Sequence, residues 1–181
     1  MDLIKFAKVK EDAIIPSKID ENGGYDIYAN FEEDYIIVKP LETVLIPNGI
    51  ASSFSSEYVI ILKERGSSGV KGMAQRAGVI DSGFRGEWKT RITNSSNKPL
   101  IISKLTLDEL IDKYGTDDYQ DDGEVKIFDK DDTIYLNKDN PTIYPYSKAI
   151  CQALVLPVPR VGVVEISYEE LINIPSERGL G

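Results

Sequence analysis

In the stretch AGVIDSGFRGEW, from Ala77 to Trp88, Asp81 closes an apolar run and is followed by Ser-Gly-Phe-Arg-Gly. An aspartate in such a place has two uses. It can shape a turn by bonding its own backbone, or it can hold and deprotonate a water molecule. The chain contains no histidine, so acid–base chemistry near neutral pH falls to Asp, Glu, Lys, Tyr or Cys. Any metal would be a hard cation on oxygen ligands.

Four other stretches could do chemistry. KERGSSGVKG, from Lys63 to Gly72, places three glycines and two serines after an apolar strand. Glycines let backbone N–H groups approach an anion, hydroxyls donate to it, and Arg65 and Lys71 add positive charge. A surface loop would read the same way. GGYDIYAN, from Gly23 to Asn30, is a turn opening a strand that carries Asp26. CQALV puts polar Gln152 in an apolar strand, where it must find hydrogen-bond partners. SERGLG pairs Arg178 with two glycines at the end of the sequence, where a frayed terminus is the default.

These residues need a scaffold, and its class is legible. YDIYANF, YIIVKP, ETVLIP, YVIILKE, EWKTRITN and AICQALVLPV are rich in Ile, Val, Tyr and Thr and bounded by Gly, Pro, Asn or Ser. Strands so closely spaced predict an all-β fold: sandwich, jelly roll or barrel. Two helices are predicted, one in TLDELIDKYG with Thr106 as N-cap, Glu109 as its capping-box partner and Gly115 as stop, the other in SYEELIN with Ser167 and Glu170. The 181 residues suit one domain, and a 41% hydrophobic content supports a core of ordinary size.

Composition excludes several classes of function. The net charge of −9 argues against a nucleic-acid partner. No apolar run is long enough for a membrane span. The first residues show no secretory signal and Cys151 is the only cysteine, so a reducing cytoplasm is the expected location. The charge is uneven: residues 104–140 hold 12 acidic and 5 basic side chains, leaving 18 and 16 elsewhere. This segment reads as an acidic insertion of one helix followed by a hairpin, with Asp122-Gly123 as its expected turn. Asp118, Gln120, Asp122, Gly123 and Asp129 partly fit a calcium loop. Position 12 lacks Glu and position 9 is Lys126, so a solvated acidic hairpin is the better reading.

Taken in order, Gly-Tyr-Asp-Ile-Tyr-Ala, Arg-Gly-Ser-Ser-Gly, Gly-Val-Ile-Asp-x-x-Phe-Arg-Gly, a strand Gln and a terminal Arg-Gly resemble the five motifs of the trimeric dUTPase family. They span nearly the whole chain outside 104–140. The resemblance implies a jelly-roll (β-clip) fold, a homotrimer with shared active sites, Mg2+ as cofactor, and hydrolysis of dUTP to dUMP and pyrophosphate. Asp81 matches the carboxylate that activates water and accepts from the sugar 3′-OH. A carboxylate is a weak base, so positioning and neutralisation of phosphate charge must supply most of the rate. Phe84, where the family usually has Tyr, would pack on the deoxyribose and exclude a 2′-OH. The hairpin from Gln75 to Lys89, with Gly78, Val79 and Ile80, would read uracil largely through backbone groups, and Arg85 would brace its turn.

Arg65, Gly66, Ser67 and Ser68 fall at the phosphate-binding second motif, where the family has Arg-Ser-Ser or Arg-Ser-Gly without the intervening Gly66. Which serine matches the family's first is left open. Asp26 would act through the metal's water shell or by bracing other motifs. Gln152 would lie near the α-phosphate. The arginine usually preceding it is missing, and Lys148 could replace its charge but not its forked geometry. Arg178 would reach the γ-phosphate, while the glycines and uracil-stacking Phe that follow in the family are not in this sequence. Two rival readings remain. The sister dCTP deaminases use a Glu on the strand after the third motif; here Arg91 sits near that place and Glu87 comes too early. The 104–140 segment could instead bind a protein partner on a dUTPase scaffold.

Overall fold

The computed structural model describes residues 3–115, the strand backbones of 125–129 and 132–136, and residues 141–175. The strands are β1 (Lys5–Lys8), β2 (Gly24–Ile27), β3 (Tyr35–Val38), β4 (Thr43–Pro47), β5 (Ile50–Ser53), β6 (Tyr58–Lys63), β7 (Met73–Arg76), β8 (Val79–Ile80), β9 (Lys89–Asn94), β10 (Leu100–Ser103), β11 (Val125–Asp129), β12 (Asp132–Leu136), β13 (Thr142–Pro145) and β14 (Cys151–Pro157). The helices are α1 (Gly66–Gly69), α2 (Leu107–Tyr114) and α3 (Tyr168–Ile172). All six expected strands and both capped helices form. Thr106 and Ser167 each close a capping box, with Glu109 and Glu170 respectively.

One sheet, in the order β2-β14-β6-β8, positions every motif that the described residues contain. Its centre is the antiparallel pair β14–β6. Gln152 lies opposite Asp26 on one side and Lys63 on the other. β8 pairs with the middle of β6, Ile80 against Ile60 and Val79 against Ile61, and runs toward its Tyr58 end. Alternation fixes this register. Ile60 and Leu62 of β6 and Cys151 and Ala153 of β14 are buried, so a slip of one residue would expose them all. A second sheet, β4-β9-β7, and a third, β13-β10-β3, complete the shell around a core that includes Trp88, Ile46, Ile92, Leu100 and Tyr144.

Trp88, just past the Asp81 turn, is fully buried. Its ring meets Phe6 edge-on at 5.5 Å and its Nε1 donates to Ser52 Oγ at 3.1 Å. Trp88→Ala is expected to cost about 3–5 kcal/mol, measured by denaturant unfolding; a loss below 1 kcal/mol would mean that the site turn is not anchored through this ring. Cys151 is also fully buried, and burial pushes its thiol up to about 12. The native protein should therefore resist thiol reagents at pH 8 and react once unfolded.

Residues 104–140 leave and rejoin the body on neighbouring strands, since β10 and β13 pair in parallel. Lys104 secures the exit. Its Nζ donates to the carbonyls of Phe31 (2.8 Å) and Glu32 (3.0 Å) and lies near the rings of Phe31 and Tyr146. α2 docks through buried Leu110, through Tyr114 against Tyr35, and through Lys113 and Tyr114 on Asp34. The bonds from Lys113 and Tyr114 hold the Asp34 carboxyl below the usual carboxylate range. The hairpin within the segment differs from the expectation. β11 and β12 both follow Asp122-Gly123, and residues 130–131 join them. The β formers in VKIFD and DTIYL pair with each other, so the hairpin lies beyond the Asp-Gly signal rather than across it. Of the residues weighed as a calcium loop, Asp118, Gln120, Asp122 and Gly123 lie outside the described residues, and Asp129 ends β11. Among the described residues no helix is long and apolar enough to cross a membrane.

Candidate active site

The predicted site residues gather into two clefts. The first, of about 260 Å³, is lined by Asn22, Gly23, Gly24, Asp26, Arg65, Gly66, Ser67 and Gln152. Arg65 follows β6 and turns its guanidinium across the sheet end. Nε meets Asp26 Oδ1 at 2.9 Å, NH2 reaches Oδ2 at 3.4 Å, and NH1 donates to the Ala149 carbonyl at 3.4 Å. Gln152 Nε2 donates to the Glu64 carbonyl at 2.8 Å. Its side chain lies over Gly24, where any Cβ would stand 2.5 Å from Gln152 Oε1. A larger residue at 24 would push the Gln152 amide out of this position.

The RGSSG stretch forms one helical turn rather than an open loop. Ser68 is fully buried, accepts from Arg65 N at 3.1 Å and donates to Arg65 O at 3.1 Å, which satisfies the backbone at the start of the turn. Ser67 is exposed and lines the cleft. Of the two serines, Ser67 is the one whose hydroxyl is available to a ligand. Lys148 is exposed and does not line this cleft.

The second cleft, of about 430 Å³, is lined by Val79, Ile80, Asp81, Phe84, Glu87, Lys89 and Arg91. Asp81 is exposed at the end of β8, and its carbonyl accepts from Phe84 N at 3.0 Å to close a tight turn. Arg85 braces that turn, as expected, through the carbonyls of Ser52 (3.5 Å), Ser82 (2.5 Å) and Phe84 (3.1 Å). Glu87 accepts from Gly49 N at 3.0 Å. The entry to β8 needs Gly78, because a Cβ there would lie 2.5 Å from the Leu62 carbonyl. Just before it, Ala77 adopts a positive φ of 45°, a left-handed conformation costing about 1–2 kcal/mol.

Gln75 and Gly78 line neither cleft. Gln75 N donates to Glu64 Oε1 at 2.8 Å and its Nε2 to the Arg76 carbonyl at 2.9 Å. Its Oε1 is buried with no partner among the described residues. Burial alone would raise the Glu64 carboxyl, but bonds from backbone N–H groups and from Lys63 outweigh it and hold that group low. Asn22, Glu87 and Arg91 line these clefts without having been anticipated there, and the Glu64 and Ala149 carbonyls, which hold Gln152 and Arg65 in place, were not anticipated either. The signal for Glu64 was its adjacency to Arg65; the others come together only through strand register. Arg178 lies outside the described residues.

Within one chain the two clefts stand apart. Asp81 leaves β8 level with Val59, near the Tyr58 end of β6, whereas Arg65 follows the Lys63 end. Six residues of strand separate the two levels, on the order of 20 Å. The first cleft has donors for an anion and one carboxylate, Asp26, shared with Arg65. No group of three or more His, Cys, Asp or Glu that could hold a metal occurs among the described residues. A cation here would have to bring most of its own ligands, as magnesium with its waters does. The second cleft pairs an apolar floor with the Asp81 carboxylate, which has no hydrogen-bond partner among the described residues.

Such an all-β chain, with an anion-suited cleft at one end of a sheet and an apolar cleft bearing a carboxylate at the other, has the make-up of a phosphoanhydride hydrolase. Residues 10–106 match the dUTPase family model. The deoxyuridine 5′-triphosphate nucleotidohydrolase of Finegoldia magna is 34% identical over 116 residues, which cover 61% of this chain and 78% of that protein. The enzyme of the same name from Fusobacterium nucleatum is 30% identical over 107 residues, 56% of this chain and 73% of that one. The chain belongs to the dUTPase family. In fold it resembles a mutant dUTPase of Staphylococcus bacteriophage 80alpha solved with dUpNHpp, with a TM-score of 0.66 at 21% identity, covering 98% of this chain and 94% of that one. A mutant dUTPase from phage phi11 of S. aureus, described with a structural Mg(II) ion, gives 0.61 at 20%, covering 92% and 99%.

Proposed function

We propose that this chain hydrolyses dUTP to dUMP and pyrophosphate as a homotrimer, each active site joining the Arg65 cleft of one chain to the Asp81 cleft of another. The observation that carries the reading is the strand register that gathers Asp26, Arg65, Ser67 and Gln152 at one sheet end and Asp81, Phe84, Val79 and Ile80 at the other. Two half-sites on the order of 20 Å apart are hard to reconcile with one substrate on one chain, and they make sense across a chain boundary. The exposed segment 158–175 supports an assembly too. Val161, Val163 and Val164 are each at least 77% exposed, an unusual state for aliphatic side chains unless something covers them.

In this reading Asp81 orients a water and accepts its proton as the water adds across the α–β phosphoanhydride, with pyrophosphate leaving. Phe84 packs on the deoxyribose, the hairpin holds the base through Val79, Ile80 and Lys89, with Gly78 shaping its entry, and Arg65, Gly66, Ser67 and Gln152 hold phosphates while Ser68 shapes their turn. Arg178 completes the phosphate contacts. A Mg2+ ion carried on the triphosphate fits the Asp26 carboxylate through water and would neutralise phosphate charge. Residues 104–140 are an inserted acidic unit that could carry a protein contact. Its ends sit on paired strands, and the family match stops at residue 106.

The test is pyrophosphate release from dUTP, dCTP, dTTP and UTP with Mg2+. Release from dUTP alone is expected. Ammonia release from dCTP would overturn the reading in favour of a deaminase.

A further inference from the structure

We propose that Arg91 reads the base in the Asp81 cleft, donating from its guanidinium to a ring carbonyl and so selecting uracil over cytosine. The inference rests on the dUTP reading above and goes beyond backbone recognition of the base.

The starting observation is an unfavourable pairing. In the β7–β9 ladder Arg76 lies directly opposite Arg91, and both are exposed. Like charges directly opposite destabilise a sheet. Lys89 occupies the same face two residues earlier. Neither Arg91 nor Lys89 has a carboxylate partner among the described residues, although the chain carries nine more acidic than basic side chains.

The two arginines then part. Arg76 Nε donates to Thr93 Oγ1 at 3.3 Å, and that hydroxyl is itself 2.6 Å from Thr43 Oγ1. Thr93 lies two residues beyond Arg91, so Arg76 leans toward the Asn94 end of β9. Arg91 takes the other side, lining the cleft with Asp81, Glu87 and Lys89. Repulsion from a tethered Arg76 keeps it there.

The cleft's chemistry selects the ligand. Val79, Ile80 and Phe84 make apolar walls, and two carboxylates balance two cations. That suits a neutral planar ring with a polar edge better than a polyphosphate. A guanidinium has only donors. Uracil offers it a carbonyl at ring position 4, whereas cytosine offers an amino group there. Donor then faces donor, and both lose water without gaining a partner.

The experiment measures kcat/KM for dUTP and dCTP and the affinities of dUMP and dCMP, for wild type, Arg91→Ala and Arg91→Lys. The expected result for Arg91→Ala is a loss of roughly 10- to 100-fold with dUTP and dUMP alike, the size of a lost base contact. The cytosine nucleotides should change less than about twofold, and Arg91→Lys should fall between. The unfolding midpoint should hold or rise, because a like-charge contact is removed. Equal losses on both bases, no loss, or a loss with dUTP but not dUMP (the mark of a β- or γ-phosphate contact) would each overturn the proposal. A wild type silent on dUTP would instead refute the activity, and the dUMP and dCMP affinities would still decide Arg91.

Discussion

Asp81→Asn should lower kcat for pyrophosphate release from dUTP by about 10³-fold while KM stays within a few-fold. Asn has the same shape and can still orient a water, but it cannot accept the proton. The turn should survive, because its closing bond runs from Phe84 N to the backbone carbonyl of residue 81, not to the side chain. Arg85 braces the same turn without touching the carboxylate. A fall in kcat alone therefore reports on proton transfer. If kcat fell less than tenfold, Asp81 would be a turn former and the base would lie elsewhere. If KM rose with kcat unchanged, Asp81 would serve only in binding.

The turn-forming use of Asp81, open at the level of sequence, would have the side chain bond its own backbone; instead the turn closes through the Asp81 carbonyl, and no hydrogen bond to the carboxylate occurs among the described residues. Local sequence could not separate the two uses because both call on the same carboxylate. What made the site legible was the order of the motifs along the chain. What stayed hidden was everything set by register. Gln152 faces Asp26 and Lys63 because β14 lies between β2 and β6, and no local pattern announces that neighbourhood. Of the strands that escaped notice, β10 (LIIS) and β13 (TIYP) are rich in β formers but short, whereas three others share a different cause. KFAK, IASS and MAQR carry too few β-branched residues to read as strands, yet each pairs along its whole length with a better-marked or equally short neighbour. β8 is only two residues long and owes its existence to the Gly78 approach to Leu62. The two capped helices, by contrast, were fully legible, since capping is decided within four residues.

The Arg65–Asp26 pair provides the second large effect and a direct test of shared sites. Arg65→Ala removes the forked contact to Asp26 and leaves that carboxylate facing the phosphates unneutralised. The expected loss in kcat/KM for dUTP is about 10²–10³-fold. Arg65→Lys should recover only part of it, because an ammonium keeps the charge and not the fork. Neither this variant nor Asp81→Asn has appreciable activity alone in this account. Co-refolded in equal amounts, they should regain activity. If each site draws Arg65 from one chain and Asp81 from another, random assembly gives each site an intact Arg65 half the time and, independently, an intact Asp81 half the time. The mixture should then show roughly a quarter of wild-type activity. A site built within one chain predicts no recovery, since every chain carries one defect. The distance between the clefts along β6 makes the first outcome the expected one, and a mixture as inactive as its parents would dissolve the shared-site assembly even if the protein proved to be trimeric.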